Sequence, residues 1–377
     1  MSTLKNFEIN DKSTVLLVSN EGTLTGAPLF LERLATGLAK SQNFYVVVFF
    51  SAGGPIVSRM KKNGFETYVS IKRTASPWKL VALFCRISHY IKFVKVLWHV
   101  KPSVVYSNTI VNCGETVLSR ILGFPTVLHM HEGMNFASKL KIKLVIQASL
   151  CIDILVGSKY AGRVLHALTG HEATVVPIGI SGARVSNASC LPSPLILRLG
   201  ILGTLDENKG QLIALKALAL AISEGMNIQL FIAGSEVDKN YSLKLRDFVV
   251  TNNLENNVFF LGRIEGIDSF FRSIDVLVMC SYDEVFPTVI LEAMRERKLV
   301  VATRVGGIPE IIDHGSTGFL YEAGNEYELL ECLKYISVRD DIPDILERAR
   351  LNFINSYEIS NSISVISRKL LLISKRK

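Results

Sequence analysis

The 377-residue sequence predicts two doubly wound, Rossmann-like parallel-sheet α/β domains in tandem, facing an interdomain cleft. Three observations carry this. Short continuous apolar runs alternate with amphipathic segments, the pattern of strands buried on both faces and joined by helices. One Ser/Asn/Pro-rich stretch, RVSNASCLPSP at 184–194, interrupts the alternation, which then restarts. The chain is also too long for one ordinary core, while 49% hydrophobic and 20% charged residues describe a folded protein.

In order, TVLLVSN (14–20), FYVVVFF (44–50), SVVYSN (103–108), TVLHMH (126–131) and DILVGS (153–158) read as strands of a first domain, 1–183. Between the second and third lies WKLVALFCRISHYIKFVKVLWHV (78–100), an amphipathic basic helix. Its apolar positions 80, 83, 84, 87, 91, 94 and 98 form the stripe expected to pack on the sheet, with Arg86, His89, Lys92, Lys95 and His99 off it. After the linker 184–194, a second domain over 195–355 takes LILRLGILG (195–203), IQLFIAG (228–234), VFFLG (258–262), DVLVMCS (275–281) and LVVATRVG (299–306) as strands. The tail 356–377 reads as a helix returning to the first domain.

Charge divides along the same line. Residues 1–183 carry 20 Lys and Arg against 9 Asp and Glu, whereas 184–377 carry 22 against 25, for a total of +8. No acidic residue occurs from Thr67 to Gly114. Such a field attracts phosphorylated substrates or anionic lipid headgroups; no nucleic-acid-binding motif accompanies it. The polar start MSTLKNFEINDKST has no apolar h-region, and no window holds enough apolar residues for a membrane span, so a cytoplasmic protein, peripheral at the inner face of the membrane, is expected. The six cysteines lack metal-ligand spacing and read as reduced residues.

Ligands of such folds gather beyond the carboxyl ends of strands, where the unusual residues of this chain also cluster. In SYDEVFPTVILEAM (281–294), Pro287 suits a helix start, which places Glu284 in the loop before a helix and Glu292 one turn inside it. Thr288, Glu292 and Arg295 then share one face, while Val289, Ile290, Ala293, Met294 and Arg297 fall at core spacing. A helix start with a carboxylate on either side suits a phosphate and two hydroxyl-bearing rings, since a carboxylate is an acceptor able to take two hydroxyl donors. Gly26 and Ala27, in GTLTGAPLF, open another helix and form an anion site in principle; the spacing is not that of a dinucleotide loop. In HMHEGM, strand alternation puts His129 and His131 on one face, with His131 nearer the strand end and Glu132 beside it.

From about Gly200 to Tyr321 the elements GTLDENKG, FIAG, VFFLG, DVLVMCSYDEVFPTVILEAM and VVATRVGGIPEIIDHGSTGFLY occur in an order that resembles the retaining GT-B glycosyltransferases of the glycosyl transferases group 1 type, glycosyltransferase family 4. The resemblance implies a nucleoside diphosphate sugar as donor and a hydroxyl acceptor, with the anomeric configuration retained and no cofactor or metal required; the basic first domain points to a glycan or lipid-linked glycan of cell-surface polysaccharide assembly as that acceptor. The resemblance places the donor sugar on Glu284, the ribose on Glu292 and the diphosphate on Lys209. Gly203, Thr204, Phe286, Thr288 and Val289 then line the donor site. His131 stands near the reacting end of the sugar, and Gly26–Ala27 form an acceptor or phosphate loop. Two features depart from the pattern. Thr204 follows Gly203 where the family has a basic residue, leaving Arg263 and Arg304 as substitutes, and VPIGIS (176–181) replaces the family's PNGID turn. These departures leave a non-catalytic glycan- or partner-binding protein of the same fold as the alternative, beside a sugar-nucleotide isomerase or phosphorylase.

Overall fold

The structure, a computed structural model, describes residues 12–70, 79–182, 196–264 and 266–375; the expected linker, Lys72 and Arg73 lie outside the described residues. The chain forms two compact units, Met1–Ile178 with Ile359–Lys377, and Gly179–Glu358.

The first unit runs β1 (Ser13–Ser19), α1 (Gly26–Lys40), β2 (Phe44–Phe50), α2 (Pro55–Lys62), β3 (Glu66–Val69), α3 (Lys79–Val100), β4 (Val104–Ser107), α4 (Cys113–Ile121), β5 (Thr126–Met130), α5 (Met134–Lys139), α6 (Lys141–Leu150), β6 (Asp153–Val156), α7 (Lys159–Thr169) and β7 (Thr174–Val175). The strands make one parallel sheet in the order β3-β2-β1-β4-β5-β6-β7. The order reverses at β1, because successive right-handed crossovers lead outward in both directions from it. Leu16, Val18, Val47, Phe49 and Val105 meet Phe93, Val96 and Leu97 of α3 on one face of the sheet.

The second unit runs β8 (Leu197–Leu202), α8 (Gln211–Ser223), β9 (Ile228–Ala233), α9 (Lys239–Thr251), β10 (Val258–Gly262), α10 (Ile267–Ser273), β11 (Val276–Met279), α11 (Thr288–Arg295), β12 (Leu299–Thr303), β13 (Phe319–Tyr321), α12 (Glu326–Ser337) and α13 (Ile342–Ser356). Its sheet is parallel in the order β10-β9-β8-β11-β12-β13, again reversing at its first strand. The final helix, α14 (Ile359–Ser374), belongs to the first unit and buries Ile366, Leu370 and Ile373 there. Lys369 binds Asp153 at 2.6 Å, and the Ser362 hydroxyl donates to the Pro177 carbonyl at 2.6 Å. Two parallel-sheet α/β domains of this kind are the GT-B fold.

Three strands escape the sequence pattern: β3 (ETYV) is only partly buried and has no continuous apolar run, while β7 and β13 are two and three residues long, too short to show one. A larger departure concerns α3. Its buried residues are His89, Phe93, Val96 and Leu97, whereas Leu83, Phe84, Ile87, Ile91 and Trp98, expected on the sheet, are exposed. The imidazole is tolerated inside because His89 Nε2 lies 2.7 Å from Glu115 Oε1, which also accepts from the Ser51 hydroxyl at 2.9 Å. Among the described residues, no helix is long and apolar enough to cross a membrane.

Candidate functional site

In the second unit two loops meet at the carboxyl ends of β8 and β11. The Tyr282 N–H donates to the Asn208 carbonyl at 2.8 Å, and the Asn208 side-chain amide donates to the Asp283 carbonyl at 3.1 Å. Asn208 thus ties together the segments that carry Lys209 and Glu284. Gly210 makes this approach possible: its φ is +64°, and a Cβ there would stand 2.2 Å from the Cys280 carbonyl oxygen. Behind the second loop, the Gly307 N–H donates to the Glu284 carbonyl at 2.9 Å. Gly306, with φ +55°, leaves the space for it, since a Cβ would come within 1.9 Å of that carbonyl oxygen.

The result brings Lys209 onto Glu284, Nζ to Oε1 at 2.5 Å, although 75 residues separate them in sequence. The Ser281 hydroxyl donates to the same oxygen at 2.9 Å. With Oε1 engaged twice, Oε2 is the oxygen left to accept from another donor. The carboxylate is nearly buried and the ammonium less so, 12% against 29% exposed, which holds both in one geometry.

Helix α11 begins directly beyond this pair. Pro287 occupies its N-cap position with extended backbone and no side-chain cap, so Thr288 and Val289 present first-turn N–H groups at a helix start. Glu292 follows one turn in and is partly exposed. The Phe286 side chain is buried against the Tyr357 ring at 5.7 Å, which leaves its backbone as the part that lines the loop. Three details of this helix differ from the periodicity. Arg295 is buried, bonded to Glu296 at 2.9 Å and to the Ser181 carbonyl at 3.1 Å. Val289 is only partly buried. Arg297 lies beyond the helix end at φ +52°, because the chain turns there into β12.

Gly203 closes β8, and Thr204 is held inside its own loop. Its hydroxyl donates to Asp206 at 2.6 Å, and its carbonyl accepts from the Gln211 side chain at 2.7 Å. Of the two candidate substitutes for the missing cation, Arg304 is paired with Glu322 at 3.2 Å, while Arg263 is exposed just past β10. Cys280, between the loops, is an inert thiol, since burial pushes its pKa up to about 12.

In the first unit, His131 follows the last residue of β5. Asn108 bonds both ways: its Nδ2 donates to the Ala27 carbonyl at 2.8 Å, so its Oδ1 is the acceptor facing His131 Nε2 at 3.1 Å. That fixes the imidazole with its proton on Nε2 and leaves Nδ1 as the basic nitrogen. Burial lowers the pKa of His131 to about 4, so the ring is neutral near neutrality. His129, fully buried, lies 4.1 Å away centroid to centroid, and its Nδ1 is bonded to the Tyr106 hydroxyl. The Glu132 carboxylate accepts from the Thr109 hydroxyl, from the Ile110 N–H at 3.2 Å and from the His131 N–H at 2.9 Å. It therefore fixes backbone and is raised above its ordinary pKa by burial. Gly26 and Ala27 open α1 behind Thr25, which provides no side-chain cap; open space surrounds Gly26. Through Asn108, the helix start and His131 form one hydrogen-bonded cluster.

Asn108, Asn208 and Ser281 were not legible as site residues from sequence. Each acts on a partner across a loop, so no local spacing announces it.

Residues 197–357 match the family described as glycosyl transferases group 1. N-acetyl-alpha-D-glucosaminyl L-malate synthase of Bacillus anthracis is 41% identical over 73 residues, 19% of each chain. An uncharacterized glycosyltransferase of Methanocaldococcus jannaschii is 29% identical over 218 residues, 48% of this chain and 60% of that one. The matched parts thus span between about a fifth and three fifths of these relatives. In fold, the chain is similar to Anabaena HepE in complex with UDP and glucose, with a TM-score of 0.80 at 21% identity, covering 95% of this chain and 99% of that one. The unit that carries Lys209, Glu284 and Glu292 belongs to the glycosyl transferases group 1 family.

Proposed function

We propose that the chain transfers a hexose-type sugar from a nucleoside diphosphate donor to a hydroxyl acceptor, with retention at the anomeric carbon. The observation that carries this reading is the Lys209–Glu284 contact beside the uncapped start of α11. A diphosphate leaving group gains charge as the glycosidic bond breaks. Lys209 and the N–H groups of Thr288 and Val289 stabilise that charge more in the transition state than in the donor. Glu284 accepts from sugar hydroxyls through Oε2, and Glu292 accepts from the ribose. Because Thr204 supplies no cation, Lys209 carries the side-chain contribution on its own side of the diphosphate. His131, neutral and proton-bearing on Nε2, serves the reacting end of the sugar, and the leaving phosphate assists acceptor deprotonation. No cofactor or metal takes part. UDP and glucose in the HepE complex make uridine sugars the first donors to test. The positive first half favours a lipid-linked glycan acceptor at an anionic inner-membrane surface, as in polysaccharide assembly.

Thermal shift with UDP, GDP, ADP and CMP and their sugar conjugates tests the donor site. A nucleotide at about 100 times its Kd raises stability by about 2.7 kcal/mol, and Glu292→Ala removes the effect. If no nucleotide stabilises the protein, the catalytic reading gives way to a binding protein of the same fold. Release of nucleoside diphosphate without an acceptor would count against transfer as well.

A further inference from the structure

We propose that the outer face of α3 is an insertion surface for an anionic lipid bilayer, with Phe84 and Trp98 among the side chains that enter the headgroup layer. The proposal deepens the reading of a membrane-side acceptor given above and rests on the placement of α3.

At 100° per residue, Leu83, Ile87, Trp98, Ile91 and Phe84 fall within about a quarter of the helix circumference. All five are exposed, Phe84 at 68% and Trp98 at 56%. The stripe is about 22 Å long at 1.5 Å per residue. The same helix buries its other side, through Phe93, Val96 and Leu97, against the sheet. The exposed stripe is therefore not a misplaced core face: the core face is already filled. Isolated apolar residues on a surface need no explanation, but a contiguous row of five marks a docking site.

Charge decides the occupant. Lys95 borders the stripe beside Phe84, Lys92 lies further round the helix with its ammonium donating to the Val69 carbonyl at 2.6 Å, and Arg86 sits past the other edge; all three are exposed. Helix α4 packs between α3 and α6, and α6 adds exposed Ile142 and Ile146 with Lys141 and Lys143. From Thr67 to Ile152 the sequence holds two acidic residues, Glu115 and Glu132. Glu115 is buried against His89 and Ser51, and Glu132 is spent on Thr109, Ile110 and His131. The outer layer formed by α3, α4 and α6 thus exposes cations and apolar side chains with no acidic counterpart. A second copy of this chain would set cation against cation along the stripe, whereas phosphate headgroups over acyl chains complement both components.

The test uses the full chain in a Trp78→Phe background, so that Trp98 is the sole tryptophan. Titration with vesicles of phosphatidylglycerol and phosphatidylcholine in equal parts should shift Trp98 emission to the blue, and brominated acyl chains should quench it. Pure phosphatidylcholine should do neither, and the shift should weaken as salt rises. Lys95→Gln should lower partitioning about fivefold, from the ~1 kcal/mol that one basic residue near an anionic surface contributes. Phe84→Asp with Ile87→Asp should abolish the shift while far-ultraviolet circular dichroism and the thermal midpoint stay unchanged, since both side chains are outside the core. Nucleotide stabilisation is measured on the same samples. Vesicle binding without it would overturn the transferase reading and leave this proposal standing; the reverse would overturn this proposal alone. Equal binding to neutral vesicles would overturn the charge argument. A concentration-dependent dimer that the double variant dissolves, without vesicle binding, would assign the stripe to a second copy and reject the membrane.

Discussion

Lys209 and Glu284 share one contact, so replacing either side chain disturbs the other. Lys209→Ala removes the cation proposed to meet the diphosphate and leaves Glu284 Oε1 with Ser281 alone. Each of Lys209→Ala and Glu284→Ala should lower kcat about 100-fold or more, the range found when one preorganised electrostatic donor is lost. The double variant should be little worse than the poorer single one, because groups that act as a unit are non-additive; multiplied losses in steady-state assays would show them to be independent. His131 yields a pH prediction. Its pKa of about 4 in the folded chain lies below the ordinary value of about 6.5. The unfolded state therefore binds more protons between those values, and stability should fall as pH drops through that window, by about 3 kcal/mol at most from this residue. His129 adds in the same direction, while Glu132, whose pKa is raised by burial, acts with the opposite sign as pH rises above its ordinary value. The comparison to make is denaturant melts of wild type and His131→Asn across that range: the variant should show the shallower slope, and parallel curves would mean that the imidazole is not desolvated.

Between elements, the site depends on loop crossings that only glycine allows. Gly210→Ala and Gly306→Ala each place a Cβ against a backbone carbonyl at positive φ. Each should cost at least ~2 kcal/mol in chemical denaturation and weaken nucleotide binding, since strain of this kind alone costs about 1–3 kcal/mol. Gly53→Ala is the control: open space surrounds it and its φ is not positive, so the same melts should barely move. Helix α3 shows the limit of periodicity at this scale. Apolar residues lie on most of its sides, so the sequence offers two candidate core faces. The face that packs is chosen by Phe93, Val96 and Leu97 against Phe49 and Val18, with His89 satisfied by Glu115.

For the molecule as a whole, α14 gives the clearest test of connectivity. Ile366, Leu370 and Ile373 are buried in the first unit although they follow the second in sequence. Ending the chain before Ile359 should remove about 1.5–3 kcal/mol for each of these side chains. Hydrogen exchange should then show α1 losing protection while the strands of the second unit keep theirs; uniform loss would mean that the two units unfold as one. Local signals in the sequence established the α/β class and the run of ten of the thirteen described strands, because apolar runs announce themselves locally, while Lys209, Glu284, Glu292 and His131 entered as candidates through the family resemblance joined to helix-start and strand-end chemistry. Only the tertiary structure decided that Lys209 reaches Glu284, that Asn108 sets the tautomer of His131, that the short strands β3, β7 and β13 complete the sheets, and which side of α3 faces outward. These are contacts between segments far apart in the chain, and their geometry is set by loop closure and packing that no local spacing encodes.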